Sequence, residues 1–232
     1  MQKVHLALIG KNIRHSKSKE VYENLLQKEI CYDLIDIEKI QDLPDLNILK
    51  KQFNGVSITT PYKDSYLSAS NLQIDPISQD LNAINCIGFW ENQIKATNTD
   101  YLGIKQIILD DFISLNRNIV ILGDGVMARI IKHIARELAL SFDQFCRNSH
   151  GDLTHLDIAK FLPQSSNLLI INCCSRDFHF QGNLPSDCYF WDLNYNLKHH
   201  QDSLPNKCDR YIDGTSLLVA QARQALLFWD IK

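Results

Sequence analysis

The chain has 232 residues, with 24 basic and 27 acidic side chains and a net charge of −3. That length supports one large domain or two small ones with real cores, and 45% hydrophobic with 22% charged residues is ordinary for a soluble globular protein. The slight acidic balance argues against a nucleic-acid binder, which carries a basic surplus or stripe.

Residues 3–9, KVHLALI, read as a buried strand ending at Gly10. The apolar run Val4 to Ile9 is too short for a secretion signal or a membrane span, so no membrane partner is expected. Ser16 or Ser18 then caps a helix whose apolar positions are Val21, Tyr22, Leu25 and Leu26. A second strand over 31–37 and a helix over 43–52 follow. Asn54-Gly55 opens a β-branched run from Val56 to Thr60, which Pro61 stops. The proline can open a helix, because its missing N–H is not needed there. Lys63 would then fall in the first turn, where the helix dipole disfavours a cation, so it calls for an anionic partner or serves chemistry. The stretch TNTDYLG (97–103) offers a carboxylate, Asp100. Asp75-Pro76 reads as a loop, and 81–90 with 93–97 as a hairpin turning at Glu91-Asn92. Strands alternating with helices point to a mixed α/β fold.

After Asp100 a helix is expected to about Phe112, then an apolar strand over 118–122 and a turn and long helix over 123–140. Gly123, Gly125 and Ala128 satisfy G-x-G-x-x-G/A between that strand and helix, a placement suited to a dinucleotide pyrophosphate. Asp124 brings negative charge to the same turn. The next strand, 141–146, ends in Cys146 and Arg147 rather than an acidic residue. An arginine there suits a 2′-phosphate, which favours NADP and leaves NAD open; a protonated His150 could assist. A further strand covers 167–172, and a final helix over 213–229 buries Leu217, Val219, Ala222, Leu226 and Trp229. Seven irregularly spaced cysteines with no C-x-x-C pair give no metal site and read as reduced thiols of a cytoplasmic protein.

These motifs resemble the shikimate dehydrogenase family. That family carries N-V-T-x-P-x-K, A-V-N-T and N-T-D-x-x-G; here the segments read V-S-I-T-T-P-Y-K (56–63), A-I-N-C (83–86) and N-T-D-Y-L-G (98–103). Residues 10–19 resemble its G-N-P-I-x-H-S-x-S-P, with Asn12 and Lys19 in place of the prolines, which loosens the loop. Residues 187–195 resemble a strand ending D-x-x-Y, INCC (171–174) stands for I-N-A-T, and 213–229 resembles D-G-x-x-M-L-V-x-Q-A-x-x-x-F-x-x-W. The family has small residues where Val126 and Met127 stand, so these side chains are expected to crowd the phosphate loop. Of the family's N-R-T pattern only Arg147 is kept.

The resemblance implies two α/β domains with the active site in the cleft between them. Residues 1–99 with 214–232 would form the substrate-binding domain, and 100–213 a Rossmann-type NADP-binding domain. It implies an NADP-dependent oxidoreductase of the shikimate pathway that reduces 3-dehydroshikimate to shikimate. Lys63 and Asp100 would be the catalytic pair. Ser16 and Ser18 would hold the substrate carboxylate, and Thr59, Asn85, Asp100 and Gln221 its hydroxyls, with Tyr195 facing substrate. Gly123, Asp124, Gly125, Val126, Met127, Arg147, Asn148, Leu193 and Gly214 would contact the cofactor, Leu193 near the nicotinamide. A quinate or other polyol-acid dehydrogenase, and a non-catalytic member that binds a metabolite or partner, remain alternatives. A monomer or homodimer is expected. The family usually has another helix after the last one here, so Trp229 is expected to be more exposed or used in a dimer.

Overall fold

The computed structural model describes residues 4–162 and 167–232; Lys3, which opens the expected first strand, lies outside them. The elements of the first half are β1 (His5–Gly10), α1 (Ser18–Leu26), β2 (Cys31–Asp36), α2 (Leu46–Gln52), β3 (Gly55–Ile58), β4 (Leu72–Ile74), α3 (Pro76–Asp80), β5 (Cys86–Trp90), β6 (Gln93–Thr97) and α4 (Thr99–Ile107). Then come β7 (Asn118–Leu122), α5 (Val126–Glu137), β8 (Phe142–Phe145), α6 (Arg147–His150), α7 (Ile158–Phe161), β9 (Leu168–Asn172), β10 (Tyr189–Asp192), α8 (Lys198–Ser203), β11 (Arg210–Ile212) and α9 (Thr215–Phe228). The chain divides into two compact units, Met1–Gly103 with Leu218–Lys232, and Ile104–Leu217.

The first unit is built on a six-stranded sheet of order β2-β1-β3-β5-β6-β4. β5 runs antiparallel to β3 and β6, because the Glu91-Asn92 turn folds it into a hairpin, and the other neighbours are parallel. Leu6, Ala7, Ile9 and Val56 are completely buried, as central strands covered on both faces require. Leu8 lies beside Ser57 and Ile9 beside Ile58, so Gly10 and Thr59 come out at the same end of the sheet. A methyl on Gly10 would collide with Thr59 Cγ2 and Ile13 Cγ2.

No helix follows Pro61. The Thr60–Pro61 bond is cis, and the chain runs on through successive turns, with Tyr62 N–H bonded to Thr59 O, Ser65 N–H to Tyr62 O and Leu67 N–H to Asp64 O. Two tyrosines peg this segment to distant backbone: Tyr62 Oη donates to Ile37 O and Tyr66 Oη to Pro44 O, each at 2.8 Å. The helix that does form here is α3, with Asp75 as N-cap accepting from Ser78 N–H and Pro76 at the first position.

Trp229 is 6% exposed, as the apolar pattern of the last helix requires and without the greater exposure expected from the lack of a following helix. Its indole N–H donates to Ile87 O at 2.9 Å. Gly55 and Gly88 make the slot it fills: a methyl on Gly55 would collide with the indole ring, and one on Gly88 would lie 3.1 Å from Cδ1. The exposed apolar group of α9 is Leu227.

The second unit carries a parallel sheet of order β11-β10-β9-β7-β8. The order reverses beside β7, and in such sheets ligands bind at the carboxyl ends of the strands flanking that reversal. β9 is buried along its whole length and β7 in all but its first residue, which explains their unbroken apolar sequences. All seven cysteines are free thiols. Burial pushes the Cys174 and Cys188 thiols up to about 12, so neither is a thiolate at neutral pH. Among the described residues no helix is long and apolar enough to cross a membrane, and no His, Cys, Asp and Glu cluster fits a metal ion.

Candidate active site

In the first unit Lys63 Nζ donates to Asp100 Oδ2 at 2.7 Å, with side chains only 12% and 7% exposed. Lys63 lies in the turns after β3, and its backbone is fixed where its carbonyl accepts from Ile84 N–H at 2.7 Å. Asp100 lies in the first turn of α4, where the helix dipole favours its carboxylate, whereas Lys63, expected in a first helical turn that disfavours a cation, lies in no helix. Asn98 caps α4: its Oδ1 accepts from Tyr101 N–H at 3.0 Å and its Nδ2 donates to Ala83 O at 3.0 Å. Burial of the pair is tolerated because each charge finds its counter-charge at hydrogen-bond distance.

Asn85 lies at the mouth of β5 and is 5% exposed. Its Oδ1 accepts from Thr99 N–H at 2.6 Å and from Thr99 Oγ1 at 3.1 Å, which fixes the amide orientation. Its Nδ2 therefore points to Gln221 Oε1 on α9, 3.4 Å away. Gly103 lets α4 and α9 approach: a methyl there would lie 3.0 Å from Gln221 N. Ser16 and Ser18 face each other at the start of α1, with Ser16 Oγ donating to Ser18 Oγ at 3.0 Å and accepting from Ser18 N–H at 3.2 Å. Neither serine is the cap residue; Lys17 holds that position without a side-chain bond. Thr59 is held through its N–H on Ile9 O at 2.8 Å and packs on Gly10.

Gly10→Ala is expected to destabilise the protein by about 1–3 kcal/mol, the range for overpacking, and to shift Thr59. Thermal melting checks the first effect; an unchanged midpoint would mean that Ile13 and Thr59 relax freely.

The sequence alone did not single out Asn98 and Thr99 as supports, nor the buried Tyr22, whose hydroxyl lies 3.3 Å from Ser57 Oγ. Asn98 had a legible signal, a capping residue ahead of an amphipathic run. The Tyr22–Ser57 contact spans distant segments and had none.

In the second unit Gly123 has φ +107°, a conformation that favours glycine, and a methyl on it would lie 3.2 Å from the Cys173 carbonyl carbon. Gly125 is the N-cap of α5, and a methyl there would meet nothing within 4 Å. Backbone approach to this twelve-residue helix is therefore open at Gly125, with Val126 and Met127 half-buried in its first turn. Asp124 is exposed and accepts from Asn148 Nδ2 at 3.1 Å. Arg147, likewise exposed, opens the single turn α6 after β8.

Leu193 and Gly214 meet: a methyl on Gly214 would collide with the Leu193 carbonyl, and Gly214 N–H donates to Asn194 O at 2.9 Å. Tyr195 is half-buried, its carbonyl accepting from Arg176 Nη1 at 3.0 Å. Beneath this loop Asp192 and His200 are fully buried, with His200 Nδ1 and Asp192 Oδ2 2.6 Å apart. His200 Nε2 accepts from Phe180 N–H at 2.8 Å, so the proton is on Nδ1 and points to Asp192. Asp192 Oδ1 also accepts from Asn194 N–H at 3.0 Å, which ties the Leu193–Tyr195 loop to the strand end.

A family model described as the shikimate dehydrogenase substrate binding domain matches residues 8–87. A Clostridium botulinum (strain 657 / Type Ba4) protein named shikimate dehydrogenase (NADP(+)) is 27% identical over 96% of this chain and 95% of its own length. Among solved structures, shikimate 5-dehydrogenase from Thermus thermophilus in complex with NADP(H) and shikimate superposes with a TM-score of 0.73 at 20% identity, covering 97% of this chain and 93% of that one. Shikimate dehydrogenase from Aquifex aeolicus gives 0.76 at 17% identity, covering 99% and 93%. At those identities the structures establish the two-domain α/β fold alone. The Prochlorococcus marinus (strain MIT 9301) protein of the same name is 31% identical over 262 aligned positions that take in 97% of this chain and 91% of that one. On that similarity along its whole length, the chain belongs to the shikimate dehydrogenase family.

Proposed function

We propose that this protein is an NADP-dependent shikimate dehydrogenase, reducing 3-dehydroshikimate to shikimate and running in reverse on the alcohol. The observation that carries the reading is the buried Lys63–Asp100 pair at 2.7 Å. When bound, the nicotinamide supplies the hydride. Charge then develops on the former carbonyl oxygen, and Lys63 meets it with a proton. Asp100 orients the lysine and accepts from a substrate hydroxyl. Asn85, Gln221 and Thr59 read the other hydroxyls, and the Ser16 and Ser18 hydroxyls hold the carboxylate at the start of α1. Tyr195 contacts the substrate. The 1–99 and 214–232 segments serve as the substrate-binding domain and 100–213 as the cofactor domain.

The first turn of α5, with Gly123 and Gly125, suits a pyrophosphate, and the exposed Arg147 guanidinium suits a 2′-phosphate. Val126, Met127 and Asn148 line the same turn, and Leu193 and Gly214 take the nicotinamide end. Relatives named for NADP(+) support that cofactor. The seven free thiols support a cytoplasmic location. We take the protein to act as a monomer or homodimer.

A spectrophotometric assay with NADP and shikimate tests the reading, with quinate as control. Turnover of quinate alone would move the activity to a related polyol acid; binding without turnover of either would make this a non-catalytic member. Arg147→Ala is expected to weaken NADP binding by about 1.5–3 kcal/mol, the range for hydrogen bonds to charged groups, with NAD binding little changed. Titration calorimetry with both nucleotides checks this; equal weakening would show Arg147 to be structural.

A further inference from the structure

The glycine turn is stapled to the end of β8. Gly123 N–H donates to Phe145 O, and Gln144 Nε2 donates to Gly123 O, each at 2.8 Å. The residues that follow on each side, Asp124 on one and Cys146 to Asn148 on the other, therefore emerge next to one another. The 3.1 Å bond from Asn148 Nδ2 to Asp124 Oδ2 registers that adjacency. Asp124 and Arg147 are both exposed, and no salt bridge joins them among the described residues. A carboxylate and a guanidinium thus share the rim of the turn without neutralising each other by contact.

Resting on the proposed cofactor site, we infer that Asp124 is a specificity-determining residue that favours the 2′-hydroxyl of NAD against the 2′-phosphate of NADP. An adenosine ribose between the glycine turn and the end of β8 brings its 2′-substituent to this rim. A hydroxyl donates a proton to a carboxylate. A phosphate dianion has none to donate and is repelled by it. Arg147 acts in the opposite sense, so the two residues set the preference together. Asn148 holds the Asp124 carboxylate in place through its amide.

The test uses the full chain and its Asp124→Asn variant, which preserves side-chain size and can still accept from Asn148. Dissociation constants for NADP and NAD are measured at low and at high salt, together with thermal melting. Asp124→Asn is expected to tighten NADP binding about three- to tenfold at low ionic strength, with a smaller gain at high salt, as for a screened like-charge contact. NAD binding stays equal or weakens, and the melting midpoint does not move. Unchanged NADP affinity, or an equal gain for both nucleotides, overturns the role of Asp124 while leaving the cofactor site intact. If the unaltered chain binds neither nucleotide, the cofactor reading falls and this inference with it.

Discussion

Lys63→Ala is expected to lower kcat about a hundred- to ten-thousand-fold, the usual worth of a positioned general acid, with a much smaller change in KM for shikimate. Hydride arriving at a carbonyl carbon leaves charge on oxygen, and without the ammonium only water can meet it. The lysine's ammonium lies 2.7 Å from the Asp100 carboxylate. Removing the lysine leaves a buried carboxylate without that partner, so stability should also fall, by roughly 3–5 kcal/mol. Rates must therefore be compared well below the melting range of the variant. Asp100→Asn should affect both kcat and KM, because the same carboxylate pairs with the lysine and is proposed to hold a substrate hydroxyl. The double variant should be little worse than the worse single one, since groups acting as a unit are strongly non-additive. A near-normal kcat in Lys63→Ala would remove the lysine from the mechanism.

The second large effect is on stability. Trp229→Ala is expected to destabilise the protein by about 3–5 kcal/mol in denaturant unfolding. The ring fills the slot between Gly55 and Gly88, and those glycines have no side chains with which to close it. Ile87 O would also lose its indole donor. Gln221 lies two turns earlier on α9, so KM for shikimate should rise in the same variant. A loss below about 1 kcal/mol would mean that the strands collapse onto the empty slot.

Local patterns were enough for the elements whose cause is local. The apolar runs of β1, β7 and β9, the hairpin at Glu91-Asn92, the glycine turn before α5 and the long α9 all follow from periodicity and turn residues in their own stretch. The helix expected after Pro61 failed because what shapes residues 59–70 is remote: Tyr62 and Tyr66 bond to Ile37 O and Pro44 O. Asp75-Pro76 is not the loop expected but the capping residue and first-position proline of α3, a local signal. The burial of Trp229 depends on two glycines from separate strands, which no window of sequence contains. At the site, the pairing of Lys63 with Asp100 came from resemblance to a family. Their separation of 37 residues offers no periodicity to read. Asn98 carried a capping signal in its own stretch, whereas the roles of Thr99, Tyr22 and Ser57 emerge only from coordinates.

The first unit is discontinuous in the chain: Leu218–Lys232 returns to it after the whole of the second unit, Ile104–Leu217. During synthesis this fixes an order of events. The strands and the Lys63–Asp100 pair are all encoded before residue 104, but the tryptophan that plugs Gly55 and Gly88 is residue 229. At about 5–20 residues per second, the nascent sheet waits on the order of 6–25 s for its plug. The second unit, contiguous in sequence, is synthesised entirely within that interval. Gln221 arrives on the same helix as the plug, so its contact with Asn85 forms only when that core closes.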